Sequence, residues 1–106
     1  MNADAKVILE RIRPLFKRVP NTRYLINVVN DHFDQTYNFF FFIAKKKQRP
    51  HSIPLYSIKK YDLEYLEIVV NEIKKHYHLT LTYDVFSGQR WPNSWRMIQK
   101  ETLKSQ

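Results

Sequence analysis

Apolar side chains recur along residues 4–19 at Ile8, Ile12, Leu15, Phe16 and Val19, a stripe with the 3.6-residue period of a helix. Arg11, Arg13, Lys17 and Arg18 fall off the stripe, so the outer face of this element is basic. Pro14 has no amide N–H to donate, which predicts a kink or two short helices within the span. Pro20-Asn21-Thr22 marks a turn, with Asn21 or Thr22 able to cap the next element. Residues 23–33 fit two periods at once. Tyr24, Leu25, Val28 and Phe33 suit a helix, while Tyr24-Leu25-Ile26 and Val28-Val29 suit a strand; helix is the preferred reading.

Residues 36–45 read as a strand. Tyr37 is followed by Phe39, Phe40, Phe41, Phe42 and Ile43, apolar on both parities of a period-2 pattern. That pattern predicts a central strand covered on both faces. Lys45-Lys46-Lys47-Gln48-Arg49-Pro50 ends it in a solvated loop. Ile53, Leu55 and Ser57 then alternate with Pro54, Tyr56 and Ile58, and the prolines confine this stretch to a sheet edge. Residues 62–77 carry a second helical stripe, Leu63, Leu66, Val70, Ile73 and Tyr77, with Asp62 placed to cap it. Glu64 and Glu67 near its start and Lys74 and Lys75 near its end complement the helix dipole, and the two glutamates read as a solvated face. Residues 78–86 alternate as a strand, Ser87-Gly88-Gln89 is a turn, and Ser94 can cap a final helix carrying Trp95, Ile98 and Leu103. The order α-(α)-β-β-α-β-α predicts an α+β fold, a small three-stranded antiparallel or mixed sheet covered by helices, in a single basic domain over residues 1–106. A homodimer through the Tyr37–Ile43 strand would require that strand to lie at an edge.

Composition removes several kinds of chemistry. The 106 residues include no cysteine, which excludes disulfides, zinc-thiolate sites and cysteine nucleophiles. A single glycine argues against the glycine-rich loops that cradle nucleotide phosphates. The longest apolar run, Phe39 to Ala44, is far short of the roughly 20 residues that span a bilayer. Met1-Asn2-Ala3-Asp4-Ala5 lacks the basic-then-apolar order of a secretory signal. A cytoplasmic protein without a membrane partner is expected.

The formal net charge is +8, and it is unevenly distributed. Residues 1–30 carry +4 and residues 45–60 carry +6, while residues 31–44 and 61–77 each carry −2. Lys45, Lys46, Lys47, Arg49, Lys59 and Lys60 thus form a basic finger, with His51 and Tyr56 available for hydrogen bonding or stacking. Such a finger suits phosphate contact, because each neutralised phosphate releases counterions. Lysines after an apolar strand also act as guards against aggregation. The segment Gln89-Arg90-Trp91-Pro92-Asn93-Ser94-Trp95-Arg96 interleaves indoles with guanidinium groups. It can stack on unpaired bases, form a protein-binding hot spot, or plug the core with Trp91 and Trp95.

Candidate catalytic groups are few. His76-Tyr77-His78, running into the apolar Leu79-Thr80-Leu81, resembles the His-hydrophobe-His motif of HUH single-strand nucleases and transposases. That resemblance, over six residues, implies two imidazoles on one metal ion and a tyrosine nucleophile on a downstream helix. The last tyrosine here, Tyr83, lies within the following strand instead. Asp31-His32-Phe33-Asp34 offers three further metal-ligating groups without a fixed-spacing motif. No Gly-x-Ser-x-Gly, His-Glu-x-x-His or Gly-x-x-x-x-Gly-Lys is present. No catalytic residue, cofactor or metal is assigned.

These patterns favour a small non-enzymatic nucleic-acid-binding protein, single- or double-stranded target undefined. Its expected contacts are Arg11, Arg13, Lys17, Arg18, Lys45, Lys46, Lys47, Arg49, Lys59, Lys60, Arg90, Trp91, Trp95 and Arg96. The alternative is a protein-interaction module (an inhibitor, adaptor or accessory subunit) that grips an acidic protein surface.

Overall fold

The computed structural model describes residues 2–17 and 19–99. The chain runs α1 (Ala3–Ile12), β1 (Thr22–Asp31), β2 (Thr36–Lys45), β3 (His51–Ile58), α2 (Leu63–His76) and β4 (Thr80–Asp84). The strands form one sheet in the order β3-β2-β1-β4. β1 pairs antiparallel with β2, β2 antiparallel with β3, and β1 parallel with β4, so the sheet is mixed.

Both helices pack on the same face. Ile26 and Val28 of β1, Phe39 and Phe41 of β2, Leu55 and Ile58 of β3, and Leu81 of β4 are buried there. Against them lie Ala5, Ile8, Leu9 and Ile12 of α1 and Leu66, Val69, Val70 and Ile73 of α2. Asn2 caps α1 by accepting from the amides of Asp4 and Ala5. Asp62 caps α2 through Glu64 N–H, and an extended Tyr77 terminates it. The Asp4 carboxylate accepts hydroxyl hydrogen bonds from Tyr56 of β3 and Tyr65 of α2, tying three elements at one point.

Several expectations require correction. The sheet has four strands, not three, because residues 23–33 contribute β1 in place of the preferred helix. Ile26, Val28 and Val29 are β-branched and favour extended backbone, and pairing on both edges of β1 decides between the two periods. The first helix stops at Ile12 instead of reaching residue 19. Pro14 cannot donate to the Glu10 carbonyl, and the chain turns with Leu15 and Phe16 N–H bonding back to Ile12 O. No helix begins at Ser94. Trp91 and Ile98 are drawn into the core, and the segment closes as a loop through a bridge between Arg90 and Met97. Leu103 lies outside the described residues. Nor is the sheet covered on both faces: α1, α2 and the 86–98 segment all occupy one side, and Phe40 and Phe42 lie half-buried on the other. β3 lies at the edge, and β2 is internal, as their patterns predict. Among the described residues no helix is long and apolar enough to cross a membrane.

Glu67 departs from the solvated face read for it. It is 4% exposed and accepts the Asn93 amide at 3.0 Å, so it pins the C-terminal loop to α2.

Candidate functional site

The antiparallel register brings Thr22 opposite Lys45, so the start of β1 and the turn after β2 share one end of the sheet. Lys46 N–H donates to Asn21 O at 2.9 Å across that junction. Asn21 and Lys47 both adopt left-handed backbone, with φ of 59° and 65°, which folds the two connections tightly. An aromatic chain then holds Phe16 and Lys17 over the same end. Phe16 lies 5.1 Å from Tyr24 and 5.5 Å from Tyr77, Tyr24 lies 5.5 Å from Phe41, and the Tyr24 hydroxyl donates to Lys17 O.

The result is a basic end. Arg13, Lys17, Arg23, Lys45, Lys46, Lys47 and Arg49 gather there, with His51 at the start of β3 on one edge and His76, His78, Lys74 and Lys75 on the other, where α2 ends and β4 begins. Three stretches of chain meet at this end, residues 11–30, 45–60 and 73–83, and none contains an aspartate or glutamate. Among the described residues, no carboxylate pairs with Arg13, Lys17, Arg23, Lys45, Lys46, Lys47 or Arg49. A cleft of about 440 Å³ opens between residues 19–22 and 45–48. With like charges unneutralised on its rim, it is suited to polyanions.

The expected contacts do not all converge. Lys59 and Lys60 follow β3 at its far end, separated from Arg49 by the eight-residue strand, roughly 26 Å long. Their neighbours include the acidic turn after β1, because Tyr61 donates to Asn30 and its hydroxyl lies 3.1 Å from His32 Nδ1. Lys60 also sits over the Tyr65 ring at 4.8 Å. Arg11 is engaged internally: its guanidinium donates to Leu55 O and stacks on Tyr56 at 5.4 Å. Trp91 is 3% exposed and packs edge-on to Tyr83 at 5.6 Å, which is the core-plug role. Arg90 donates to Trp95 O and stacks on the Trp95 ring, which is 68% exposed, while Arg96 lies exposed on the same loop. Arg18 lies outside the described residues.

The metal candidates dissolve into local structure. Asp31 accepts from the Phe33 and Asp34 amides and so shapes its own turn. His76 donates from Nδ1 to Glu72 O at 3.0 Å, closing the last turn of α2. Among the described residues no three His, Cys, Asp or Glu side chains gather as a metal site.

Sequence reasoning passes over Arg23, which stands at the basic end but falls in the span read as helix. It also passes over Phe40 and Phe42. Their signal is present, since a run apolar on both parities in so small a sheet can leave one face bare. Comparison of the chain with protein-family models, curated proteins and solved structures finds no match.

Proposed function

We propose that this protein binds nucleic acid without catalysing a reaction, holding phosphates at the basic end of its sheet. The observation that carries the reading is the meeting of three carboxylate-free stretches where β1 begins and β2 ends. Arg13, Lys17, Arg23, Lys45, Lys46, Lys47 and Arg49 are the contacting groups. Lys59, Lys60, Arg11 and Trp91 leave the set, because they stand at the far end or are occupied within the fold. A non-enzymatic role is supported by the internal engagement of Asp31 and His76. An electrophoretic shift with short single- and double-stranded oligonucleotides at about 50 mM salt tests it. Retarded bands that disappear on raising salt are expected; free probe at every protein concentration overturns the reading.

A protein-interaction role draws on a different observation. Phe33 is 99% exposed at the tip of the β1–β2 turn, and Trp95 is 68% exposed. Under that reading Phe33→Ala and Trp95→Ala abolish partner capture, while Lys45–Lys47 neutralisation leaves it intact. The reverse ranking dismisses it.

A further inference from the structure

We propose that the uncovered face of the sheet is a stacking platform for unpaired bases, with Phe40 and Phe42 as its rings. The inference rests on the phosphate-binding reading above and adds a strand preference to it. Alternation places Arg23, Leu25, Asn27 and Val29 of β1 on this face, beside Asn38, Phe40, Phe42 and Ala44 of β2. β3 supplies Ser52 and Pro54 opposite Phe42 and Phe40, and β4 supplies Thr82 opposite Asn27. A shallow depression of about 450 Å³ lies between Leu25, Asn27, Phe40, Phe42, Ser52 and Thr82, with the Asp84 carboxylate on its β4 side.

Three features select the occupant. The first is the centre of the face, which is aromatic and rimmed by amides, hydroxyls and the Asp84 carboxylate; that mixture suits a base, with its apolar ring faces and polar, N–H-bearing edges. Asn27 donates to Thr82 Oγ1 at 2.7 Å and to Asp84 at 3.2 Å, which turns its amide nitrogen into the sheet and leaves Oδ1 to accept from a base. The second is spacing. Phe40 and Phe42 are two residues apart on one strand, roughly 7 Å. That is about twice the 3.4 Å rise of a stacked strand, so the platform fits a chain drawn out of its helix. Paired bases inside a duplex cannot present their faces to it.

The third feature is charge. Arg23 borders the Phe42 end of the face, next to the lysine turn, whereas Asp31 borders the other end and Asp84 stands on the β4 side beside Asn27. Phosphates are therefore drawn to the basic end and repelled from the far one, which orients a strand across the rings. A second copy packed face to face would bury Arg23, Asn38 and Asp84 with the rings, against the cost of desolvating polar groups.

The test uses single-stranded thymidine and uridine probes of about twelve nucleotides, and a duplex of equal length, read by fluorescence anisotropy. The native chain is expected to bind the single strands at least about tenfold more tightly than the duplex. Phe40→Leu/Phe42→Leu keeps the face apolar but removes the rings, and single-strand affinity should fall on the order of tenfold or more with duplex affinity unchanged. Phe40→Tyr/Phe42→Tyr should restore it. Circular dichroism checks the fold of each variant. Photo-crosslinking of iodouridine probes to the native chain gives a readout free of substitution, and is expected at residues 38–44. Full single-strand affinity in the leucine variant, with loss only in Lys45→Gln/Lys46→Gln/Lys47→Gln, overturns the platform and leaves phosphate binding standing. Crosslinks confined to the basic end do the same. No binding to any probe removes both. A native dimer in light scattering that becomes monomeric in the leucine variant assigns the face to a second copy and overturns the inference.

Discussion

Replacing Lys45, Lys46 and Lys47 together with glutamine separates a localised phosphate site from diffuse positive charge. Observed affinity falls with salt along a log–log line whose slope is about −0.7 for each phosphate neutralised on a single strand. Arg13, Lys17, Arg23, Lys45, Lys46, Lys47 and Arg49 share the basic end, so full engagement sets a limiting slope near about −5. Between roughly 50 and 200 mM salt, that limit corresponds to about a thousandfold loss of affinity. With three lysines removed the slope should flatten to about −3 and the loss shrink to about fiftyfold. The structure supplies its own control. Lys59→Gln/Lys60→Gln removes two charges roughly 26 Å away, beyond β3, and should leave the slope within about 0.3 of native. Anisotropy titrations at four or five salt concentrations give each slope. Equal flattening in both variants, or an unchanged slope in the lysine triple, would refute a site confined to the start of β1 and the end of β2.

Other outcomes rest on the packing. Glu67→Ala should cost about 0.5–1.5 kcal/mol, the net worth of the part-buried hydrogen bond to the Asn93 amide, and in a Trp95→Phe background the Trp91 emission should move to the red. Val85, a β-branched residue, is held at φ 67°, so Val85→Asn should raise stability by up to about 1 kcal/mol in urea unfolding with an unchanged m-value. Burial, followed by repulsion from Tyr61 and Asp62, raises the Tyr37 pKa to about 12. Because that value exceeds the unfolded one near about 10, the associated stability is complete below pH ~10 and is lost as pH climbs through the folded value; alkaline unfolding should track phenolate absorbance across that window. Hydrogen bonds to the Asp4 carboxylate, with burial second, also raise Tyr56 and Tyr65, and Asp4→Asn should bring both phenols back toward ordinary ionisation in the same titration.

Local patterns carried much of the architecture. The run from Thr36 to Lys45, the Asp62-capped helix and the alternation from Thr80 to Asp84 were legible because period, caps and composition agreed there. Residues 23–33 were not, since their apolar positions satisfy both periods, and the deciding partners lie at residues 36–45 and 80–84. The same dependence hid Arg23 from the candidate site. Charge counting located the basic segments but could not separate Lys45–Arg49 from Lys59–Lys60, because distance along a strand is invisible in a segment sum. Glu67 looked solvated because its acceptor role depends on Asn93, twenty-six residues away. The exposed face of β2 was misread for a simpler reason: a two-sided apolar strand implies burial only if the chain has enough helices for both sides.

The parallel pairing of β1 with β4 bears on how the protein is made. A nascent chain ending near residue 77 already contains three strands and both helices, yet one long edge of β1 still has unsatisfied amides and carbonyls. Among the described residues, Thr80–Asp84 alone closes it. Until those residues leave the ribosome, or if a stop codon removes them, the Leu25–Val29 backbone is an open template for intermolecular pairing, so solubility should collapse abruptly with C-terminal shortening past Asp84.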